Sequence, residues 1–318
     1  MKVIRIVIVV LCIAFSIKAA AAMPDSLVNI TYGKGKTYKG NQQTLTLDLF
    51  FPKKEPGKKY PVVLLMHGGG FLNGSKEAMK SHCKVLADSG FVAATINYRK
   101  GWDRGSALGC EGNIVQLQEA VYRATQDANA ALRFLVDKQQ DFAIDTAWMF
   151  VGGSSAGGVM ALNLAYLKEE NLKTLFPQAT ATLGSLTAAS NDIKQKFTLK
   201  GICNMWGALS DSTLVTSKSA LPTIFYHGTE DMVVPYDVGK FGSLCPEYPQ
   251  MFGSACVYRR TVAAGKAAIL NVAKGANHGP KEFYSKVTMS NTACFFKQII
   301  NGTASGGKTY DKAKSGCR

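Results

Sequence analysis

Apolar positions recur along this chain with two periods, and the two alternate. "LTLDLFF" (45–51) switches between apolar and polar residues as a half-buried strand does. "PVVLLMH" (61–67) and "FVAATINY" (91–98) are continuous apolar runs of strand length, as strands buried on both faces are. Between them "SKEAMKSHCKVLADSG" (75–90) reads as a helix closed by Gly90, and Ile114, Leu117, Val121, Ala124, Ala128, Ala131, Leu132 and Leu135 fall at helical spacing over 114–136. The pattern continues with a strand in "AWMFVGG" (147–153), a helix in "SAGGVMALNLAYLKEE" (155–170), and strands in "KGICNMW", "PTIFYHG" and "AAILNVA". A last helix runs from about Lys281 to Ile300. Repeated strand–helix–strand units predict an α/β domain with a mostly parallel central sheet and helices on both faces.

No linker divides the 318 residues, so residues 23–318 are expected to form one domain. Residues 169–197, polar and weakly periodic, interrupt the alternation. They are expected to be either a lid over the carboxyl edge of the sheet or a surface excursion. Ahead of the domain, Lys2 and Arg5 precede the apolar run Ile6–Ile17, and Ala20, Ala21 and Ala22 supply small residues. Residues 1–22 therefore read as a secretory signal peptide, too short in its apolar part for a spanning helix. A secreted or periplasmic protein with no membrane anchor after cleavage is expected.

Composition changes this picture little. The formal charge of +15, or +12 without Lys2, Arg5 and Lys18, raises the question of a polyanion partner. The cations are scattered, however, with only "PKKEPGKK" and the tail "GKTYDKAKSGCR" locally dense, and no nucleic-acid motif accompanies them. No nucleic-acid partner is expected. Outside the leader, which holds Cys12, the cysteines are Cys83, Cys110, Cys203, Cys245, Cys256, Cys294 and Cys317. In an oxidising compartment this odd set leaves one thiol over. Cys245 and Cys256, flanking "CPEYPQMFGSAC", make the nearest candidate pair. None has zinc-ligand spacing, and no metal is expected.

Chemistry concentrates at "FVGGSSAGGVMAL" (150–162). Ser155 has glycine two residues before it (Gly153) and two after it (Gly157), giving G-x-S-x-G between a strand and a helix; Ser154 fits the pattern less well. A chain that leaves a strand and enters a helix within one residue has no room for side chains beside the turn. The serine then stands at the helix N-terminus, where developing negative charge is favoured. A serine hydroxyl needs a base. Of His67, His82, His227 and His278, the last lies in "NHG" after the final predicted strand and is the candidate. His82 falls within a helix, and His67 and His227 end strands, where they read as structural members of turns. Asp231 in "HGTEDMVVP" is the candidate carboxylate, with Glu230 second and Asp237, better suited to helix capping, third. The glycines of "MHGGGF" offer backbone N–H groups for an oxyanion.

The order Ser155, Asp231, His278 is that of an α/β-hydrolase. Together "HGGGF", "GSSAG", "HGTEDMVVP" and "NHG" resemble α/β-hydrolase fold carboxylesterases of the hormone-sensitive-lipase-like and related bacterial esterase type, from about residue 27 to 300. The acid motif is most similar to the version in feruloyl- and acetylxylan-esterase-like relatives. The resemblance implies Ser155 as nucleophile, Asp231 and His278 as its partners, an oxyanion hole from Gly69, Gly70 and Ala156, and no cofactor. "INYRKGW" also resembles the family's Tyr-Arg segment, here Tyr98 and Arg99, but "KGWDRG" follows where those enzymes have an Ala-Pro-Glu-like run.

The expected substrate is a small-molecule or polysaccharide-linked ester. Alternatives are a peptidase of the prolyl-oligopeptidase type, for whose extra domain there is no room, and a binding protein on a hydrolase scaffold, which would lack a triad residue. Phe71, Trp102 and Trp206 are candidates for lining the site, although aromatic residues near strand ends also serve as core. Asn29, Asn73 and Asn301 stand in N-x-S/T sequons, and a glycan on Asn73 would obstruct the site.

Overall fold

The computed structural model describes residues 24–53, 55–106 and 110–312. The expected leader and Cys317 lie outside them. The strands are β1 (Ser26–Lys36), β2 (Gln42–Phe50), β3 (Tyr60–Met66), β4 (Val92–Ile96), β5 (Ile144–Ser154), β6 (Leu199–Met205), β7 (Thr223–Gly228), β8 (Val238–Lys240), β9 (Gln250–Phe252), β10 (Ala268–Ala273) and β11 (Gly307–Asp311). Nine of them form one sheet in the order β1-β2-β4-β3-β5-β6-β7-β10-β11, and β8 and β9 pair separately. Only β2 opposes the common direction, pairing antiparallel with both β1 and β4. The carboxyl ends of β3, β5, β6, β7 and β10 consequently meet at one edge, where the loops carrying the candidate site residues begin.

Strand alternation sorts side chains to the two faces. Val62, Leu64 and Met66 of β3 enter one core with helices α2 (Ile114–Asp137) and α3 (Ala156–Tyr166). Val63 and Leu65 enter the other with α1 (Lys80–Asp88) and α7 (Lys286–Ile300). Asn113 starts α2 by accepting the Gln116 backbone N–H on its side chain at 3.0 Å. Helix α6 (Ser254–Ala263), which the apolar pattern did not announce, buries Val257 against the first face.

Residues 169–197 form α4 (Glu169–Leu175), α5 (Pro177–Leu183) and an irregular stretch. Buried Arg133 of α2 holds that stretch, donating to the backbone carbonyls of Thr187, Ala189, Asn191 and Ile193. Beside it Arg99 forks onto Asp127 at 2.6–3.0 Å, and Ser190 Oγ donates to the same carboxylate at 2.5 Å. The segment thus packs along α2, and none of its residues lines the cavity that holds Ser155. Leu175 and Phe176 instead wall a separate apolar cavity of about 140 Å³ beside Phe71 and Val159.

The cysteines pair differently from expectation. Cys245 bonds Cys110, 135 residues away in sequence, rather than Cys256. Helix α6 carries Cys256 into the interior, whereas Cys245 lies in a loop facing the connection between β4 and α2. Cys83, Cys203 and Cys256 are free and buried, so among the described residues three thiols are left over instead of one. They serve as small apolar side chains. Cys294 is disulfide-bonded.

Candidate active site

The turn between β5 and α3 places Ser155 at φ 54°, ψ −120°, a conformation that costs a non-glycine residue about 1–3 kcal/mol. The flanking glycines are required by space. A Cβ on Gly153 would lie 2.5 Å from the Met66 carbonyl oxygen, and one on Gly157 would meet the same oxygen still closer. The obstacle is backbone at the end of a central strand, which has nowhere to go. Gly157→Ala is therefore expected to destabilise the protein by about 3 kcal/mol or more, visible as a lower denaturation midpoint. A midpoint equal to wild type would show that α3 can move away from β3.

Three predicted residues meet at the sheet edge. Ser155 Oγ donates to His278 Nε2 at 2.8 Å, and His278 Nδ1–H donates to Asp231 Oδ2 at 2.7 Å. The loop after β7 fixes the carboxylate, because the backbone N–H groups of Val233 and Val234 both donate to Oδ1 at 2.9 Å. Burial alone would push the Asp231 carboxyl up; hydrogen bonds from His227 and His278 outweigh it and hold the group well below the usual carboxylate range. Glu230 is exposed, and Asp237 pairs with Arg259 at 2.6 Å, so neither serves His278.

Gly69 and Gly70 sit at φ 115° and 60°, where glycine is the easy choice. A Cβ on Gly68 would come within 3.2 Å of Ser155 Cβ, which shows how closely this loop passes the serine. Ala156 opens α3, whose first N–H groups have no carbonyl partner within the helix. Two neighbours hold the glycine loop. Trp102 Nε1–H donates to the Gly70 carbonyl at 2.9 Å, and His67 Nδ1–H to the Gly68 carbonyl at 2.6 Å. Tyr98 stacks on the His67 ring at 4.3 Å and donates its hydroxyl to the His67 carbonyl at 2.9 Å.

His67 is buried, and burial lowers its pKa to about 4 from an ordinary 6.5, against a smaller opposing effect of the Gly68 hydrogen bond. Between those two values the unfolded chain binds the proton and the folded one does not. The contribution is complete above about pH 6.5 and is lost as pH falls toward 4, at about 1.4 kcal/mol per pKa unit. Melting curves at about pH 7 and about pH 4.5 should show a smaller acid loss for His67→Gln than for wild type. Equal losses would place the titration elsewhere.

These groups open into a cavity of about 780 Å³. Trp102 and Trp206 line it, while Phe71 lines the smaller one. Tyr284 lies 5.0 Å from Trp206, and Tyr248 lies 6.3 Å from Trp102 and 6.1 Å from Phe241, so packed aromatic rings form part of its wall. Asn73 also lines it, and Cys110 and Cys245 clamp two of the loops that form the wall. The residue that sequence reading passed over is His227. Its Nε2 stands 3.1 Å from Asp231 Oδ2, on the same oxygen that His278 uses.

A family model described as BD-FAE matches residues 47–213, a span that holds the glycine loop and Ser155 but stops short of Asp231 and His278. Methylphloroacetophenone synthase of Cladonia uncialis is 33% identical over 125 residues, 38% of this chain and 5% of that protein. Gut esterase 1 of Caenorhabditis elegans is 29% identical over 156 residues, 48% of this chain and 26% of that protein. The chain thus matches only a small part of the length of these relatives. Among solved structures, Thermogutta terrifontis esterase 2 phosphorylated by paraoxon superposes with a TM-score of 0.60 at 18% identity, covering 89% of this chain and 96% of that one. At that identity the likeness is one of fold.

Proposed function

Because the chain belongs to the BD-FAE family and has the α/β-hydrolase fold, we propose that it is a carboxylic ester hydrolase that transfers the acyl group of its substrate to Ser155 and then to water. The observation that carries this reading is the continuous relay from Ser155 Oγ through His278 to Asp231, at 2.8 and 2.7 Å, with Ser155 and His278 lining a cavity.

In the first step Ser155 Oγ attacks the ester carbonyl while His278 Nε2 takes its proton. The carbonyl oxygen becomes an oxyanion within reach of the backbone N–H groups of Gly69, Gly70 and Ala156. The tetrahedral intermediate collapses as the carbon–oxygen bond to the alcohol breaks, and His278 returns the proton to that alcohol. Water then repeats the sequence on the acyl-serine, releasing the acid and restoring the hydroxyl. Asp231 stays ionised throughout, holding the His278 proton on Nδ1 and stabilising the imidazolium.

For substrate, the reading is a short-chain or carbohydrate-linked ester handled outside the cytoplasm. Support for the substrate comes from the aromatic walls, which suit a flat acyl group, and from the acid motif. Support for export comes from the amino-terminal pattern and the Cys110–Cys245 disulfide. Hydrolysis of p-nitrophenyl esters from acetate to dodecanoate, with a feruloyl ester and acetylated xylan alongside, tests the whole proposal. Activity falling from short to long chains is expected. A protein inert on every ester would overturn it, and cleavage of a proline anilide in their place would favour the peptidase alternative.

A further inference from the structure

Beneath the relay lies a second chain of hydrogen bonds whose proton positions are determined at its two ends. Asn204 Oδ1 accepts the Gly207 N–H at 3.1 Å, so its Nδ2 is the donor to Ser254 Oγ at 3.0 Å. Ser254 Oγ, which accepts from Asn204, lies 2.7 Å from His227 Nδ1. His227 Nε2 faces two acceptors, Asp231 Oδ2 and the Val234 carbonyl, each at 3.1 Å, and so carries the proton, leaving Nδ1 to accept from Ser254 Oγ. Asn204, Ser254 and His227 are all fully buried. An apolar side chain at this strand end would have filled the space without the cost of burying polar atoms. The residues come from three separate elements, β6, α6 and β7, and converge on one carboxylate oxygen.

We propose that His227 is a positioning residue for the relay: its Nε2–H pins Asp231 Oδ2 from below, so that the carboxylate meets His278 at one orientation and with part of its charge already neutralised. The inference rests on the acyl-transfer reading above. Asp231 then accepts four hydrogen bonds, two on each oxygen, and has no freedom to rotate away from His278. A second donor on the same oxygen also leaves less of the carboxylate's charge to face the ring of His278. Besides Asp231, the titratable groups facing His227 are His278, across the shared oxygen, and Tyr236, whose ring stands edge-on at 5.7 Å.

The test is the pH profile of kcat/KM on p-nitrophenyl acetate for wild type, His227→Leu, His227→Gln and Ser254→Ala. Loss of a hydrogen bond to a charged group predicts a kcat lower by about ten- to a hundredfold in His227→Leu, with KM nearly unchanged. Its acid limb should move to higher pH by about one unit, because a carboxylate with one donor fewer holds the imidazolium harder. His227→Gln, which can still donate to Oδ2, should recover most of both effects. Ser254→Ala leaves the imidazole in place but removes its partner at Nδ1 and so loosens the ring, so it should show a smaller shift in the same direction and serves if the leucine variant does not fold. An active wild type with an acid limb unmoved in every variant, or leucine and glutamine variants that behave alike, would overturn the inference alone. A wild type inert on esters would remove the acyl-transfer reading and this inference with it.

Discussion

Ser155→Ala is expected to lower kcat/KM on p-nitrophenyl acetate by about a millionfold, with the fold intact. The magnitude follows from the position of the hydroxyl. It is the atom that hydrogen-bonds His278, whereas Ser154, the adjacent serine, ends β5 in register with Met205. Ser155→Gly should be equally inactive yet more stable than wild type. The strained φ of 54° becomes easy for glycine, so about 1 kcal/mol or more should return as stability. Inactivation and stabilisation by one substitution would identify this turn as a place where stability is given up for chemistry. An alanine variant within tenfold of wild type would mean that another group attacks the ester.

Asp231→Asn is expected to cost about ten-thousandfold in kcat, for a reason contained in the four hydrogen bonds that the carboxylate accepts. An amide has one oxygen and one NH₂, so whichever way it turns, its nitrogen faces two N–H donors. Turned toward Val233 and Val234 it breaks the loop; turned toward the imidazoles it forces His278 to carry its proton on Nε2, facing Ser155. In that tautomer His278 cannot accept the serine proton. The substitution should also lower the melting temperature at neutral pH. A folded Asp231→Asn variant retaining a tenth of wild-type kcat would show that His278 is oriented by something other than Asp231.

Most of the architecture was legible because the central strands β2 to β7 and β10 and the helices α1, α2, α3 and α7 announce themselves by their own period. The continuous apolar runs at β3, β4 and β7 belong to strands covered on both faces, and the α2 stripe matches the observed helix within a residue. Ser155, Asp231 and His278 were legible because sharp turns impose glycine and because their chain order is informative. The remainder depends on contacts between distant parts of the chain. His227 ends a strand before a glycine, and nothing local distinguishes a histidine that completes a turn from one that reaches a carboxylate four residues on. The partner of Cys245 was hidden for the same reason, since proximity in sequence favoured Cys256 and only the folded loops bring Cys110 to it. Whether residues 169–197 roof the site depends on Arg133, whose hold on four carbonyls cannot be read from the segment itself.

The disulfide also constrains how this protein can be made. A chain that emerges amino end first presents Cys83, Cys110 and Cys203 long before Cys245 appears, and so offers Cys110 two wrong partners in succession. Both are interior residues, Cys83 on α1 and Cys203 on β6, and each is hidden only once its layer has formed on the sheet. Correct pairing thus depends on core assembly running ahead of oxidation. Production should accordingly be limited less by the amount of oxidant than by its timing, and a thiol isomerase should raise the yield of active protein more than added oxidant does.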